Sequence, residues 1–388
     1  MFNHSSLHLC NTQELGRILR EMGADAILAT SKGNVGYLGG TTTNVPYAHA
    51  PEGAPIKQYA VWCTDGDRLL LSTPVKRDRY DQIVGPVSVW LREKGLERGT
   101  LAVEMNHLPT EDYLGLKKAL PDLTIVNGML ALFEARMIKT PEELLRIRKA
   151  AEVSDKAMSA AIEMATPGVR IYDLARRILE VYEEEGAESV GSFQKYEIVV
   201  MQQDGDRSKP YIYRSALDRE AKIRKGDHLW LSLIPKYNHY FASSQRLISV
   251  GKPMPEVVEM HCVTMTMRER MLKLVKPGVT TSKLALAGLQ SEEKQEHSFM
   301  NHSSRLIPPH GLRMVRPHGI GLDVREMPNP DTIPPFRDYE LREGMVLSTD
   351  TGARDKELGG QCFIDDVILV TSGGYEFLTQ TGREIHIV

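Results

Sequence analysis

The chain has 388 residues, 41% hydrophobic and 26% charged, enough to bury a large core and to form two domains. Lys and Arg total 48 against 51 Asp and Glu, a net charge near −3, with 6% aromatics, so nothing electrostatic points to nucleic acid or a membrane surface. No window approaches eighteen uninterrupted apolar residues, which argues against a membrane span.

MFNHSSLHLC at the start lacks a basic stretch followed by an apolar one, so a cytoplasmic protein is expected. Cys10, Cys63, Cys262 and Cys362 are too scattered for a zinc site or a disulfide framework and read as reduced thiols. The spacing predicts a helix from about Thr12 to Met22 and a strand at Ala26 to Ala29. Strands Tyr59 to Cys63 and Leu69 to Ser72 flank Asp65-Gly66-Asp67, a hairpin-turn signal. A second strand–helix–strand unit follows: Leu101 to Glu104, a helix after Pro109, and Leu123 to Val126. The Gly40 to Gly53 loop is long and rich in Thr, Asn, Pro and Gly, which marks it either as functional or as ordinary surface.

A boundary falls between Ala135 and Thr140, giving domains 1–135 and 136–388. Thr140-Pro141-Glu142-Glu143 is a capping box that opens a helix carrying Leu144, Ile147, Ala151, Met158 and Ile162 at helical spacing. Inside the second domain a faint repeat runs from Thr166-Pro167-Gly168-Val169 to Lys276-Pro277-Gly278-Val279, each between helices and each leading into strands. The strands are Tyr196 to Met201 and His228 to Ile234 in the first half, and Met345 to Thr349 and Cys362 to Val370 in the second. Two similar halves facing each other place a site at their seam.

The informative stretch is the hairpin Gly226 to Arg246, with Ser232 and Ser243 eleven residues apart. Along its first strand His228, Trp230, Ser232 and Ile234 share one face, and Leu229, Leu231 and Leu233 the core face. Ser243 on the returning strand is expected to approach Ser232. Downstream stand His318 in Pro317-His318-Gly319-Ile320-Gly321-Leu322-Asp323, then Asp350, then Asp365-Asp366 interrupting an apolar strand. Charges in apolar strands are costly unless paired, and alternation sends Asp365 and Asp366 to opposite faces. Taken singly, each has a plain reading: a structural histidine in a glycine-rich turn, or an aspartate in the turn Thr349-Asp350-Thr351-Gly352.

Taken together, their order and spacing over 140–388 closely resemble the pita-bread family of methionine aminopeptidase, aminopeptidase P, prolidase and creatinase. The resemblance implies an α/β (α+β) architecture: an N-terminal creatinase/prolidase-like domain, then a pita-bread catalytic domain with an internal pseudo-twofold repeat. In the family's metallopeptidases an Asp at each serine position, the His, and a Glu at each later position hold two divalent metals. Here the set reads Ser232, Ser243, His318, Asp350, Asp365. Two of four anions are lost, and serine is a poor ligand unless deprotonated. The expectation is therefore a pocket without a cofactor, the alternative being one divalent ion at His318, Asp350 and Asp365.

Creatinase also departs from the Asp pair, and the likeness implies a metal-independent hydrolase opening a C–N bond of a small polar or zwitterionic amide or amidine. Creatinase's acid/base histidine falls in the window Gln202 to Pro210, where Ser208 stands instead, and its glutamate on the returning strand falls at Gln245. That leaves His318, with an ordinary pKa near 6.5, as general acid/base, oriented by Asp350 and Asp365. Ser232, Ser243, Gln245, His228 and Ser208 are the substrate-binding candidates. Arg325 either grips a carboxylate or pairs with Glu326 or Asp323. Three other readings stand open: a non-catalytic binding module, a serine nucleophile with His318 as base, and a metal-dependent Xaa-Pro peptidase with a reduced metal site. A homodimer is what the resemblance implies.

Overall fold

A computed structural model describes residues 9–39, 58–72, 84–188, 195–201, 211–213, 219–289, 304–307, 311–329, 338–355 and 360–388. The Gly40 to Gly53 loop and Ser208 lie outside them. The chain divides into two compact units, Met1–Glu142 and Glu143–Val388.

In the first unit a five-stranded sheet runs in the order Arg68–Ser72, Gln58–Cys63, Ala26–Ala29, Thr100–Val103, Thr124–Asn127. Ala26–Ala29 pairs antiparallel with Gln58–Cys63 and parallel with Thr100–Val103. The helix Thr12–Met22 starts where Asn11 accepts a hydrogen bond from the Glu14 amide and stops at Gly23 in the left-handed region. The Asp65-Gly66-Asp67 signal is realised as the turn of the hairpin, with Gly66 at φ 98°. Apolar residues from Leu28, Val61, Leu101, Val103 and Leu116 close one core.

The second unit carries two sheets. One has the order His386–Ile387, Ser244–Ser249, His228–Ile234, Lys195–Met201, Tyr211–Tyr213. The other runs Ser304–Ile307, Gly311–Gly319, Val346–Asp355, Val367–Thr371, Gly374–Phe377, with Gly360–Ile364 also paired to Val346–Asp355. The helices Pro141–Met164 and Ile171–Glu184 precede the first sheet, and Pro255–Leu272 and Thr281–Leu289 precede the second. Leu229, Leu231 and Leu233 pack into the core formed with the first helix pair, as the alternation predicts.

The repeat is written into the backbone. Gly168 donates to the Ile223 carbonyl while Ile223 donates to Val169, and Gly278 donates to Leu341 while Leu341 donates to Val279. Further on, Gly226 donates to Val250 and Val250 to Asp227, matched by Gly344 to Val370 and Val370 to Met345. All four glycines adopt φ between 84° and 92°, a region closed to most side chains. The matching makes Ser232 the counterpart of Asp350, Gln245 of Asp365, and Arg246 of Asp366.

The two sheets meet through those last counterparts. Gln245 and Asp365 form a bridge, the Gln245 amide donating to the Asp365 carbonyl at 3.3 Å. Behind it the Asp366 carboxylate receives Arg246 at 2.7 Å, Arg383 at 2.8 Å and Arg268, and the Thr379 hydroxyl at 2.8 Å. Burial alone would raise the Asp366 carboxyl, but the three guanidiniums hold it below the usual range. Asp366→Ala leaves three buried or half-buried guanidiniums without their anion, so a loss of about 3–5 kcal/mol is expected in urea unfolding. A midpoint indistinguishable from that of the unaltered protein would rule out this role.

Candidate active site

The site gathers on one face of the strands at that seam. Asp365 is 1% exposed, and both its oxygens accept from the Ser348 hydroxyl at 2.9 Å. It also accepts from the Ser243 hydroxyl at 2.5 Å and the Thr349 amide at 2.8 Å. Asp365 thus turns to the pocket and Asp366 away from it. Burial, then the nearby Asp350 charge, pushes the Asp365 carboxyl up to about 7, against the pull of the serine hydroxyls.

Two residues along from Ser348, Asp350 shares its face and is 4% exposed. The pairing of Gly311–Gly319 with Val346–Asp355 sets Arg316 opposite Asp350 and His318 opposite Ser348. Arg316 Nη2 donates to Asp350 Oδ2 at 2.6 Å, and Arg325 Nη2 lies 4.0 Å from the same oxygen. Nearby, Glu326 accepts from the Asp323 amide at 3.0 Å. Asp350 Oδ1 is buried with no hydrogen-bond partner among the described residues.

His318 is 5% exposed, and its Nδ1 lies 2.9 Å from the Gly319 carbonyl. That acceptor fixes the tautomer: Nδ1 carries the proton and Nε2 presents a lone pair. Burial, helped by the Arg325 charge, pushes the ring down to about 4. The expected ring near 6.5 is therefore not what the fold provides, because the ring is shut away from water and no carboxylate hydrogen-bonds to it among the described residues. Gly319 admits no side chain, since a Cβ there would stand 2.2 Å from the Met327 carbonyl oxygen.

The remaining candidates separate. Ser232 is buried, and register sets it opposite Gln245, whose Oε1 is buried without a partner among the described residues. Ser243 bonds Asp365, and no serine hydroxyl bonds the His318 ring among the described residues, which removes support for a nucleophilic serine. His228 does not join the site: its Nε2 accepts from the Met254 amide at 3.2 Å. Trp230, on the same face, donates to the Phe363 carbonyl at 2.9 Å. Alternation gives the face of His228 but not what covers it, here the Met254 amide. Arg316 and Ser348 were missed, although each lies two residues from a named site residue and so on its face.

Residues 146–372 match the metallopeptidase family M24, and residues 12–138 match the creatinase/prolidase N-terminal domain. The chain is 30% identical over 65% of its length to an Xaa-Pro dipeptidase of Pyrococcus furiosus, covering 66% of that protein, just under two thirds. It is 26% identical to the creatinase of a Bacillus species over 98% of this chain and 92% of that one. An Xaa-Pro dipeptidase structure from Bacillus anthracis superposes with a TM-score of 0.72 at 19% identity, covering 97% and 99% of the two chains.

These matches correct the expectation of a pocket without a cofactor, because the family is one of metallopeptidases. The residues present nevertheless do not fit a pair of ions. Two positions are neutral hydroxyls, Asp350 is bound by Arg316, and among the described residues no three His, Cys, Asp or Glu side chains cluster to hold a metal. His318, with its Nε2 lone pair and its Nδ1 proton on a carbonyl, keeps the orientation of a metal-binding histidine.

The His318 ring yields a pH prediction. Its folded pKa is depressed, so between about 6.5 and 4 the unfolded chain holds a proton that the folded one does not; stability is full above that window and falls as pH drops through it, by up to roughly 3 kcal/mol. His318→Gln should flatten this part of the urea-measured stability profile; an unchanged slope would remove the ring from the account. With the repeat, the seam and the His318 motif in place and more than half its length matched, the chain belongs to the metallopeptidase family M24, behind a creatinase/prolidase N-terminal domain.

Proposed function

We propose that this chain is a hydrolase of the Xaa-Pro peptidase type, opening a C–N bond in a small polar substrate with a reduced metal set. The identity to an Xaa-Pro dipeptidase favours this over the metal-independent reading. The observation that carries it is two buried acceptors without a donor among the described residues, Asp350 Oδ1 and Gln245 Oε1, together with a His318 ring whose Nδ1 is held by the Gly319 carbonyl. A buried acceptor without a donor costs about 1–3 kcal/mol, which a substrate ammonium or amidinium recovers on binding.

Asp365 is the proton carrier in this reading. Its carboxyl titrates near neutrality, where general acid–base catalysis works best, and Ser243, Ser348 and the Thr349 amide hold it in one orientation. His318, neutral at that pH, serves as an acceptor or ligand. Arg325, with its side chain 40% exposed, suits the carboxylate end of a zwitterionic substrate. Were a single divalent ion to bind, His318 Nε2 would be its ligand, and the ion would supply Lewis-acid polarisation of the scissile carbonyl.

Two measurements test this. Hydrolysis of a panel of Xaa-Pro dipeptides and small amidines, with Mn2+ supplied, should show turnover that Asp365→Asn lowers by about 10²–10⁴-fold. Equal turnover by the variant would strip Asp365 of its role, and no turnover on any member would sink the hydrolase reading. Elemental analysis of the Mn2+-loaded protein after gel filtration should find fewer than two equivalents, whereas two would overturn the reduced metal set.

A further inference from the structure

We propose that Arg316 is a built-in counter-ion that withdraws Asp350 from any divalent metal site. The two residues face each other directly across paired strands, with Nη2 2.6 Å from Asp350 Oδ2. The Arg316 side chain is 28% exposed and its guanidinium centre lies 6.0 Å from the Phe363 ring centroid, so packing as well as charge fixes it. Arg325 adds a second positive charge 4.0 Å from the same oxygen. Guanidinium does not deprotonate in proteins, so a divalent ion approaching Asp350 meets a permanent like charge.

The other half of the repeat offers no relief. The counterpart of Asp350 is Ser232, buried and neutral, so that half supplies no carboxylate at this position. Oδ1 alone stays available, which suits one hydrogen bond from a substrate cation rather than bridging of two metals. The family's paired-ion centre is thereby reduced by a residue two positions before His318 on the same face, one that matches no ligand position of the family.

The test is metal content of the full chain. Unaltered protein, Arg316→Leu, Arg316→Gln and Arg316→Lys are loaded with Mn2+, freed of excess by gel filtration, and measured by elemental analysis and equilibrium dialysis. R316L and R316Q should each retain one more equivalent than the unaltered protein, or hold the same number at least about tenfold more tightly, as expected for removal of a like charge a few ångströms away. R316K, which keeps the charge, should match the unaltered protein. If folded R316L and R316Q bind no more ions and no more tightly, or if R316K gains as much as R316L, the proposal is wrong. Should R316L fail to fold, R316Q decides, since its amide still donates to Asp350 without the charge. The proposal rests on the reduced metal set, but its readout is ion content rather than turnover, so its failure leaves the hydrolase reading to be judged separately.

Discussion

Everything at this site depends on how two half-repeats are pinned at their seam. Gln245 and Asp365 join through the backbone, and their neighbours Arg246 and Asp366 join through a fully buried ion pair that Arg268 and Arg383 reinforce. A buried carboxylate holding three guanidiniums is a poor route to raw stability, but it admits one registry only, because any slip leaves charges unpaired. That registry places Ser243 and Ser348, from opposite sheets, on the same Asp365 carboxylate.

The charges of the pocket are then unevenly shared. The second half contributes His318, Asp350, Asp365 and the guanidinium of Arg316, whereas the first contributes Ser232, Ser243 and Gln245, all neutral. Within a metallopeptidase family this frame carries two carboxylates at the site, one held by arginine and the other wrapped in hydroxyl and amide donors. The same donors that would compete with a metal keep Asp365 fixed, and its burial keeps it protonatable near neutrality.

Much of this was legible in the sequence, for a reason tied to backbone chemistry. The Pro-Gly pairs at 167–168 and 277–278 mark turns that need positive φ, and the structure ties each to its half by the same two hydrogen bonds. Alternation sorted Leu229, Leu231 and Leu233 from Ser232, and Asp365 from Asp366. What alternation cannot carry is the identity of a covering element: His228 lies under the Met254 amide, and only the tertiary fold reveals it. The proton state of His318 was illegible for the same reason, being set by burial and by Arg325 rather than by the ring's neighbours in sequence.

The strict alternation at positions 245–246 and 365–366 separates two duties that most binding sites combine in the same side chains. Gln245 and Asp365 face the pocket, and Arg246 and Asp366 face away, holding the halves together. Residues of the first kind can be exchanged without touching the second. The chemistry of this pocket is thereby open to revision while the contacts that join the halves stay in place.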